Sequence, residues 1–256
     1  MPVTVTIEDH IAVVLLDRPP VNAIDRQAQS ELQAAFRAIG ENRDVRVAIL
    51  TATGERAFIA GIDLRAPEAA DDGRASSVTD PGRRFREVLW SVRDCGVPVI
   101  AAVNGPALGA GLGFVSMCDI VVAAENATFG MTEINVGLLG GAAHLAYLVG
   151  RRKAREMFLT GELASAAELH RLGVVRAVVP PGDLMGYCRE LAASLAAKSP
   201  IALRLAKESL NRVDFLPLDE AYRTEQEYTA RLSRFEDAGE ARQARHEKRP
   251  PEWRWR

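Results

Sequence analysis

Cysteine is scarce in this chain, and the little there is excludes two classes of protein. Cys95, Cys118 and Cys188 are an odd number without C-x-x-C spacing, so neither a disulfide framework nor a zinc site is expected, and a reducing compartment fits. No apolar run approaches the ~18 residues that span a bilayer, and the first residues lack a basic stretch followed by an apolar one. The expectation is a cytoplasmic protein without membrane contact. An excess of charge is missing too: the net charge is −2, with acids and bases interspersed, so no basic face invites nucleic acid. Only the end, Arg245 to Arg256, is locally biased. There is no internal repeat or low-complexity tract. A dinucleotide fingerprint started at Gly109 fails because Phe114 stands where its last glycine belongs, and no GK[ST] follows to make a phosphate loop. Asn126-Ala127-Thr128 matches a glycosylation acceptor, which without an export signal is read as accidental.

What is present is enough apolar sequence, 48% of 256 residues, to bury one sizeable core. Val3, Val5 and Ile7 alternate with polar residues and Ile11 to Leu16 follows, which predicts a hairpin ended by Arg18-Pro19-Pro20. Asp25 is the expected N-cap of a helix whose apolar face is Leu32, Ala35, Phe36 and Ile39, closed by Gly40. Val45 to Leu50 reads as a buried strand, so strand, helix and strand imply a parallel crossover and an α/β fold. The acidic, small-residue stretch Arg65 to Gly82 reads as a mobile loop before a helix from Arg84 to Asp94. Helical periodicity is expected over His144 to Thr160, Ala164 to Leu172, Leu184 to Ala197, Ile201 to Arg212 and roughly Asp219 to Lys248, with a strand from Val174 to Val179.

The informative stretch is Pro98 to Ile134. Val99 to Val103 is a short apolar strand, broken by Asn104-Gly105-Pro106, and Ile120 to Ala124 is a second. Between them nearly every side chain from Gly105 to Gly113 is small, just where a new helical pattern begins. A helix N-terminus stripped of bulk offers unpaired N–H groups and the positive end of a dipole to an anion, or to an oxygen becoming one. One carboxylate, Glu133, lies just past Phe129-Gly130.

With Arg18-Pro-Pro-Val-Asn22-Ala23, Ala57-Phe-Ile-Ala-Gly61-Ile62-Asp63-Leu64, Met117-Cys-Asp-Ile120 and Ala127-Thr-Phe-Gly-Met-Thr-Glu133-Ile134 in the same order and spacing, the chain resembles the enoyl-CoA hydratase/isomerase, or crotonase, superfamily over nearly its whole length. The resemblance implies β-β-α units stacked as a spiral with two roughly perpendicular sheets over residues 1–198, and a C-terminal helical oligomerisation region over 199–256. It also implies a homotrimer or dimer of trimers, an acyl-CoA substrate, and no metal or cofactor beyond the substrate's own coenzyme A. In such enzymes two backbone N–H groups hold the thioester oxygen as it gains charge. By motif these belong to Ile62, after Ala60-Gly61, and to Ala110, between Gly109 and Gly111, with an alanine where the family usually has glycine. Glu133 is then the acid–base group, since a carboxylate beside an apolar acyl pocket suits proton transfer at Cα or at a water. Asp63 is expected to fix the loop after Gly61.

The resemblance places coenzyme A against Val21 to Ala23, against backbone from Ala57 to Ala60, and against a neighbouring subunit's basic C-terminus, here Lys248. Arg18 is compatible with a phosphate contact; Lys248 and Arg249 read equally well as a solvated helix end, and Trp253 and Trp255 as packing residues. Two departures stand out. Hydratases of the family carry a second glutamate where this chain has Gly113, and a missing acid–base partner is worth on the order of 10²–10⁴ in rate. The segment Gly140-Gly141-Ala142-Ala143-His144 replaces a Pro-Gly pattern, which alters the acyl pocket's far wall near Leu139 and Gly141. His144 reads either as a second acid–base group or as a packed histidine at a helix start. Hydration of 2-enoyl-CoA with a single glutamate leads, ahead of Δ3,Δ2-enoyl-CoA isomerisation or another crotonase-type lyase reaction, and ahead of a catalytically weak CoA-thioester binding protein.

Overall fold

The computed structural model describes residues 1–63, 65 and 78–256. Most of the expected loop Arg65 to Gly82, and Leu64, lie outside the described residues. Six strands form the main sheet in the order β1 (Val3–Glu8), β2 (Ile11–Leu16), β3 (Val47–Ala52), β4 (Val99–Val103), β6 (Ile120–Ala124) and β9 (Ala177–Val179). Only β1 runs antiparallel to its neighbour, as the hairpin pattern predicts; the other pairings are parallel. Parallel strands covered on both faces read as unbroken apolar runs, and β3 and β4 are buried at every position. One face of the sheet packs against α7 (Leu184–Ala196) through Leu184, Cys188 and Ala192. The other closes over the larger core around Phe36, Phe58, Phe114 and Phe129.

A second ladder gives the fold its spiral. After β2 the chain reaches Ile24, which bridges Ile62; after β3 it reaches Ile59, which bridges Ala107 of β5 (Ala107–Leu108). After β6 comes β7 (Thr128–Gly130), parallel to β5 and antiparallel to β8 (Ala164–Ser165). Each turn therefore delivers one strand to the large sheet and one short segment to the second ladder. The chain segments that carry the predicted site are consecutive rungs of that ladder.

Helix α1 (Arg26–Glu41) starts as predicted, with the Asp25 carboxylate accepting from the Ala28 N–H at 2.8 Å. It does not stop at Gly40: the cap is Asn42, and Gly40 is small because Gly96 passes so close that a Cβ there would lie 3.1 Å from its nitrogen. Helix α2 (Arg83–Arg93) and α3 (Ala110–Met117) follow, then α4 (Ala142–Val149) and α5 (Arg151–Thr160), where one helical stretch is predicted. Gly150, with φ of +78°, separates them. The stretch predicted as one helix from Ala164 divides into β8 and α6 (Ala166–Arg171), and the strand predicted from Val174 is only β9, because the N–H groups of Val174 and Val175 go to Leu169 O in α6. The long C-terminal helix divides into α9 (Leu218–Leu232) and α10 (Glu236–Glu247).

Helix α8 (Pro200–Val213) is pinned to the spiral by a buried lysine. Lys207 Nζ donates to Val92 O at 3.2 Å, Val97 O at 3.1 Å and Asp119 Oδ2 at 2.7 Å, so all three of its protons are used. Such a pair tolerates no loss of one partner, which would leave a buried charge at a cost of about 3–5 kcal/mol. The C-terminal tail folds back as well: Trp253 Nε1 donates to Ala197 O, the Trp255 ring lies under the guanidinium of Arg204, and Asp237 accepts from the N–H groups of Arg254 and Trp255. Both tryptophans pack, as expected. Among the described residues no helix is long and apolar enough to cross a membrane.

Candidate active site

The two predicted N–H donors sit on touching rungs of the second ladder. In the parallel bridge of Ile24 with Ile62, Ile24 donates to Gly61 O and accepts from Asp63 N–H. Those bonds use the groups on either side of Ile62, so its own N–H faces the other edge, where no described backbone carbonyl receives it. That edge is occupied by the start of α3: a Cβ on Gly61 would lie 3.7 Å from Leu108 O, and one on Gly111 would collide with Ile59 O. Ala110 is the first residue of α3, so its N–H has no intrahelical partner. Gly109, the cap, holds φ of +53°, a conformation that glycine adopts without strain. Alanine at 110 therefore keeps a free N–H and an ordinary backbone.

Glu133 comes to the same place by one further rung. Gly109 N–H donates to Gly130 O at 2.9 Å, which fastens the start of α3 to β7. Three residues on, Glu133 opens a 3₁₀ turn (Glu133–Val136) capped by Gly137 in the left-handed region. Its Oε1 lies so near the Gly109 Cα that a Cβ there would be 2.5 Å away. Its Oε2 is buried without a hydrogen-bond partner among the described residues. Buried polar atoms are rarely left so.

The loop beneath is locked by charge. Arg18 donates to Asp25, to Ala23 O at 2.6 Å and to Asp63, and Asp63 also accepts from the Arg65 N–H at 3.1 Å. The Arg65 N–H, helped by Arg18, holds the Asp63 carboxyl below its usual pKa. With its guanidinium committed to three acceptors, Arg18 is a brace of this loop rather than a free phosphate ligand, a correction to the sequence reading. Asn22, buried with φ of +53°, donates through Nδ2 to Thr53 O and Ala57 O, while Val21 O accepts from Ala60 N–H. The turn Val21 to Ala23 and the backbone Ala57 to Ala60 thus meet. Asn22 belongs to a quoted motif, yet its role as the strut between these segments was not read from it.

The remaining candidates are spread more widely. Leu139 is 76% exposed, and Gly141 caps α4 against Met131. Lys248 caps α10 at the surface in the left-handed region, while Arg249 is taken by Glu240 and Glu247. A Cβ on Gly113 would meet only the two Leu89 methyls, at 3.5 and 3.6 Å. Leu89 also lines a cavity of about 320 Å³ with Trp90, Met117, His144, Tyr147 and Phe215. His144 Nδ1 lies 3.2 Å from Ser116 Oγ, and burial holds its imidazole below the ordinary pKa. Nothing in the spacing announces the Ser116–His144 contact, since the two are 28 residues apart on different helices. Burial pushes the Cys188 thiol up to about 12 and raises Cys95 and Cys118 as well, so none is a poised nucleophile. Among the described residues no group of His, Cys, Asp or Glu is placed to hold a metal ion.

The profile of the enoyl-CoA hydratase/isomerase family matches residues 6–256. The chain belongs to that family. The enoyl-CoA hydratase of Bacillus anthracis superposes on it with a TM-score of 0.91 over 99% of both chains at 33% identity. A (7aS)-7a-methyl-1,5-dioxo-2,3,5,6,7,7a-hexahydro-1H-indene-carboxyl-CoA hydrolase from Mycobacterium tuberculosis is 40% identical over 95% of this chain and 98% of its own length. A carnitinyl-CoA dehydratase from Salmonella enteritidis is 38% identical over 96% and 95%. All three relatives are named for CoA compounds, and the reactions they are named for differ.

Proposed function

We propose that this enzyme uses Glu133 to add water to, or remove it from, the β-carbon of an acyl-CoA thioester, with the thioester oxygen held by the N–H groups of Ile62 and Ala110. The observation that carries the reading is the Glu133 carboxylate, set against the Gly109 cap with one edge buried and unpartnered. In the hydration direction Glu133 takes a proton from water as the water oxygen bonds to Cβ. The π electrons of Cα=Cβ move into the thioester, and the enolate oxygen gains charge against two N–H donors, each worth about 3–4 kcal/mol in a dry site. Glu133 then returns the proton to Cα. One carboxylate completes the cycle, and the steps need only backbone, carboxylate and water, so no separate cofactor enters.

A second reading, favoured by Gly113 and by the hydrolase relative, keeps the same flow of electrons. Water attacks a carbonyl at Cβ, and the Cα–Cβ bond supplies the electron pair that becomes the enolate. A third fate, isomerisation, needs Glu133 only to move a proton between C2 and C4. Coenzyme A is assigned to the junction of Val21–Ala23 with Ala57–Ala60. We assign the assembly to a homotrimer, or a pair of trimers, in which a neighbour's Lys248 reaches that coenzyme; exposed Leu159, Leu163, Leu218 and Tyr222 give apolar surface for it. The test is a product screen over 2-enoyl-, 3-enoyl-, 3-hydroxyacyl- and cyclic 3-oxoacyl-CoA. Turnover of 2-enoyl- and 3-hydroxyacyl-CoA supports the first reading and of 3-oxoacyl-CoA the second; inertness toward all four refutes both.

A further inference from the structure

We infer that Arg18 is a positioning residue for the enolate step, its guanidinium polarising the Ile62 N–H through two peptide units joined head to tail. The inference rests on the acyl-CoA reading above, in which that N–H meets the thioester oxygen. Arg18 Nη1 donates to Ala23 O at 2.6 Å. The peptide unit of Ala23 O carries the Ile24 N–H, which donates to Gly61 O at 2.8 Å. Gly61 O in turn belongs to the peptide unit whose N–H is that of Ile62. The row therefore runs from the guanidinium to the Ala23–Ile24 peptide, then to the Gly61–Ile62 peptide, and ends at the N–H assigned to the oxyanion. A hydrogen bond accepted at a carbonyl draws electron density from the nitrogen end of the same amide, so bonds in such a row strengthen one another by about 10–30% each. The head of this row is a charged donor, which makes the stronger kind of bond.

The second donor of the site is backed differently. Ala110 N–H shares its peptide with Gly109 O, which accepts from the Gly113 N–H at 3.0 Å as the first rung of α3, so a helix dipole stands behind it. Ile62 lies in a bridge and starts no helix; Arg18 takes the helix's place. Two carboxylates also face the guanidinium, Asp25 at 2.8 Å and Asp63 at 3.1 Å. Two acids outweigh one base, so what reaches the Ile62 N–H is the polarisation handed along the hydrogen bonds rather than a positive field across space. Loss of Arg18 then weakens the donor twice, by removing the head of the row and by leaving the carboxylates uncompensated. A purely mechanical brace behaves otherwise. It needs Asp63 as much as Arg18, whereas the row needs only the bond to Ala23 O.

The test uses the CoA thioester of para-dimethylaminocinnamic acid, whose absorption moves to longer wavelength as donors draw charge onto the thioester oxygen. The purified wild-type protein should shift it on binding. Arg18→Gln can still donate to Ala23 O but carries no charge, so it should keep a smaller shift. It should also lose about two- to eightfold in kcat with KM little changed, the 10–30% share of a donor worth about 10²–10³ in kcat. Arg18→Lys keeps the charge without the fork and should stand between the two. Asp63→Asn should keep the full shift. Each variant is checked for cooperative melting, and if Arg18→Gln does not fold, the lysine and Asp63→Asn variants carry the comparison, since a brace predicts that both lose the shift. An undiminished shift in Arg18→Gln overturns the inference, as does a loss of the shift in Asp63→Asn. If the wild type does not bind the probe, the acyl-CoA reading falls, and if it binds the probe unshifted, the two donors are wrongly assigned; either takes this inference with it. A wild-type shift that ignores Arg18 sinks the inference alone.

Discussion

Gly109→Ala should separate the position of Glu133 from the stability of the fold. A Cβ at residue 109 would stand 2.5 Å from Glu133 Oε1, and ordinary Cβ contacts begin near 3.4 Å, so the carboxylate must retreat by about 0.9 Å. The obstructing atom is the far end of a flexible side chain, so the retreat itself is cheap. The backbone adds a cost, because φ of +53° with ψ of −114° lies outside the wells open to alanine and is unfavourable by about 1–3 kcal/mol. A misplacement near 1 Å in a reacting group lowers turnover by about 10²-fold. The expected result is a melting temperature a few degrees lower and kcat down about a hundredfold on the best substrate of the product screen. Two neighbours are controls. Gly111→Ala meets the Ile59 carbonyl, which cannot swing away, and should fail on stability instead. Gly113→Ala makes ordinary contact with Leu89 and replaces a helical glycine, so it should gain up to ~1 kcal/mol and keep its activity. A folded Gly109→Ala with wild-type turnover would show that the carboxylate does not act from where it lies.

Glu133→Gln should lose at least ~10²-fold of turnover while binding CoA thioesters nearly as well, since it removes proton transfer and keeps the N–H donors; unchanged turnover in steady-state assays would exclude Glu133 as the base. Ala110→Pro, which deletes the N–H, should lower kcat far more than Ala110→Gly, which retains it; equal losses in two folded variants would argue against a backbone donor there. Gly113→Glu should raise hydration of a short 2-enoyl-CoA relative to isomerisation of the 3-enoyl compound, more so toward higher pH because paired carboxylates raise one another's pKa; a constant ratio across pH would mean that residue 113 does not face the reacting water. At the C-terminus, Arg249 and the Glu252 N–H hold Glu240 down at about 2 from an ordinary 4.5. A depressed carboxylate stabilises the fold fully above its unfolded pKa, and that contribution fades as pH falls from 4.5 toward 2. Tryptophan fluorescence from the tail should follow that window and lose its pH response in Glu240→Gln; a response unchanged in the variant would assign the transition to other groups.

How much of this was legible in the sequence depends on the distance over which each feature is decided. Local signals held: alternation in β1, the Asp25 cap and the unbroken apolar runs of β3 and β4 all report on a residue's immediate neighbours. Helix ends and breaks were read less well, because the stops lie in contacts that the sequence does not display. Gly40 looks like a terminator and is instead the place where Gly96 passes. The membership of the crotonase family was legible from linked motifs, and so was the nearness in sequence of α3 to Glu133, with only the short strands β6 and β7 between them. The role of Arg18 was not, because its acceptors include Asp63, 45 residues away. The same holds for Lys207, an unremarked lysine in an amphipathic helix whose acceptors lie on three other segments.

Family membership leaves the reaction open for a physical reason. Two N–H donors and a carboxylate stabilise an enolate however it arises, so hydration, ring cleavage and proton shuttling draw on the same groups at the top of α3. What distinguishes them is whatever lies along the acyl group below. In this chain two residues on different helices bear on that stretch: Gly113 of α3 offers no carboxylate, and His144 of α4 touches Ser116, whose hydroxyl reaches the Gly113 carbonyl. Both meet at a single hydroxyl. With the Ser116 proton on Gly113 O, the shorter of its two contacts, the imidazole must donate from Nδ1, and a serine-to-alanine change would free the ring to choose its tautomer. The groups at the top of α3 suit enolate chemistry of any of these kinds, so Gly113, Ser116 and His144 are the positions at which substitution would test what sets the acyl group.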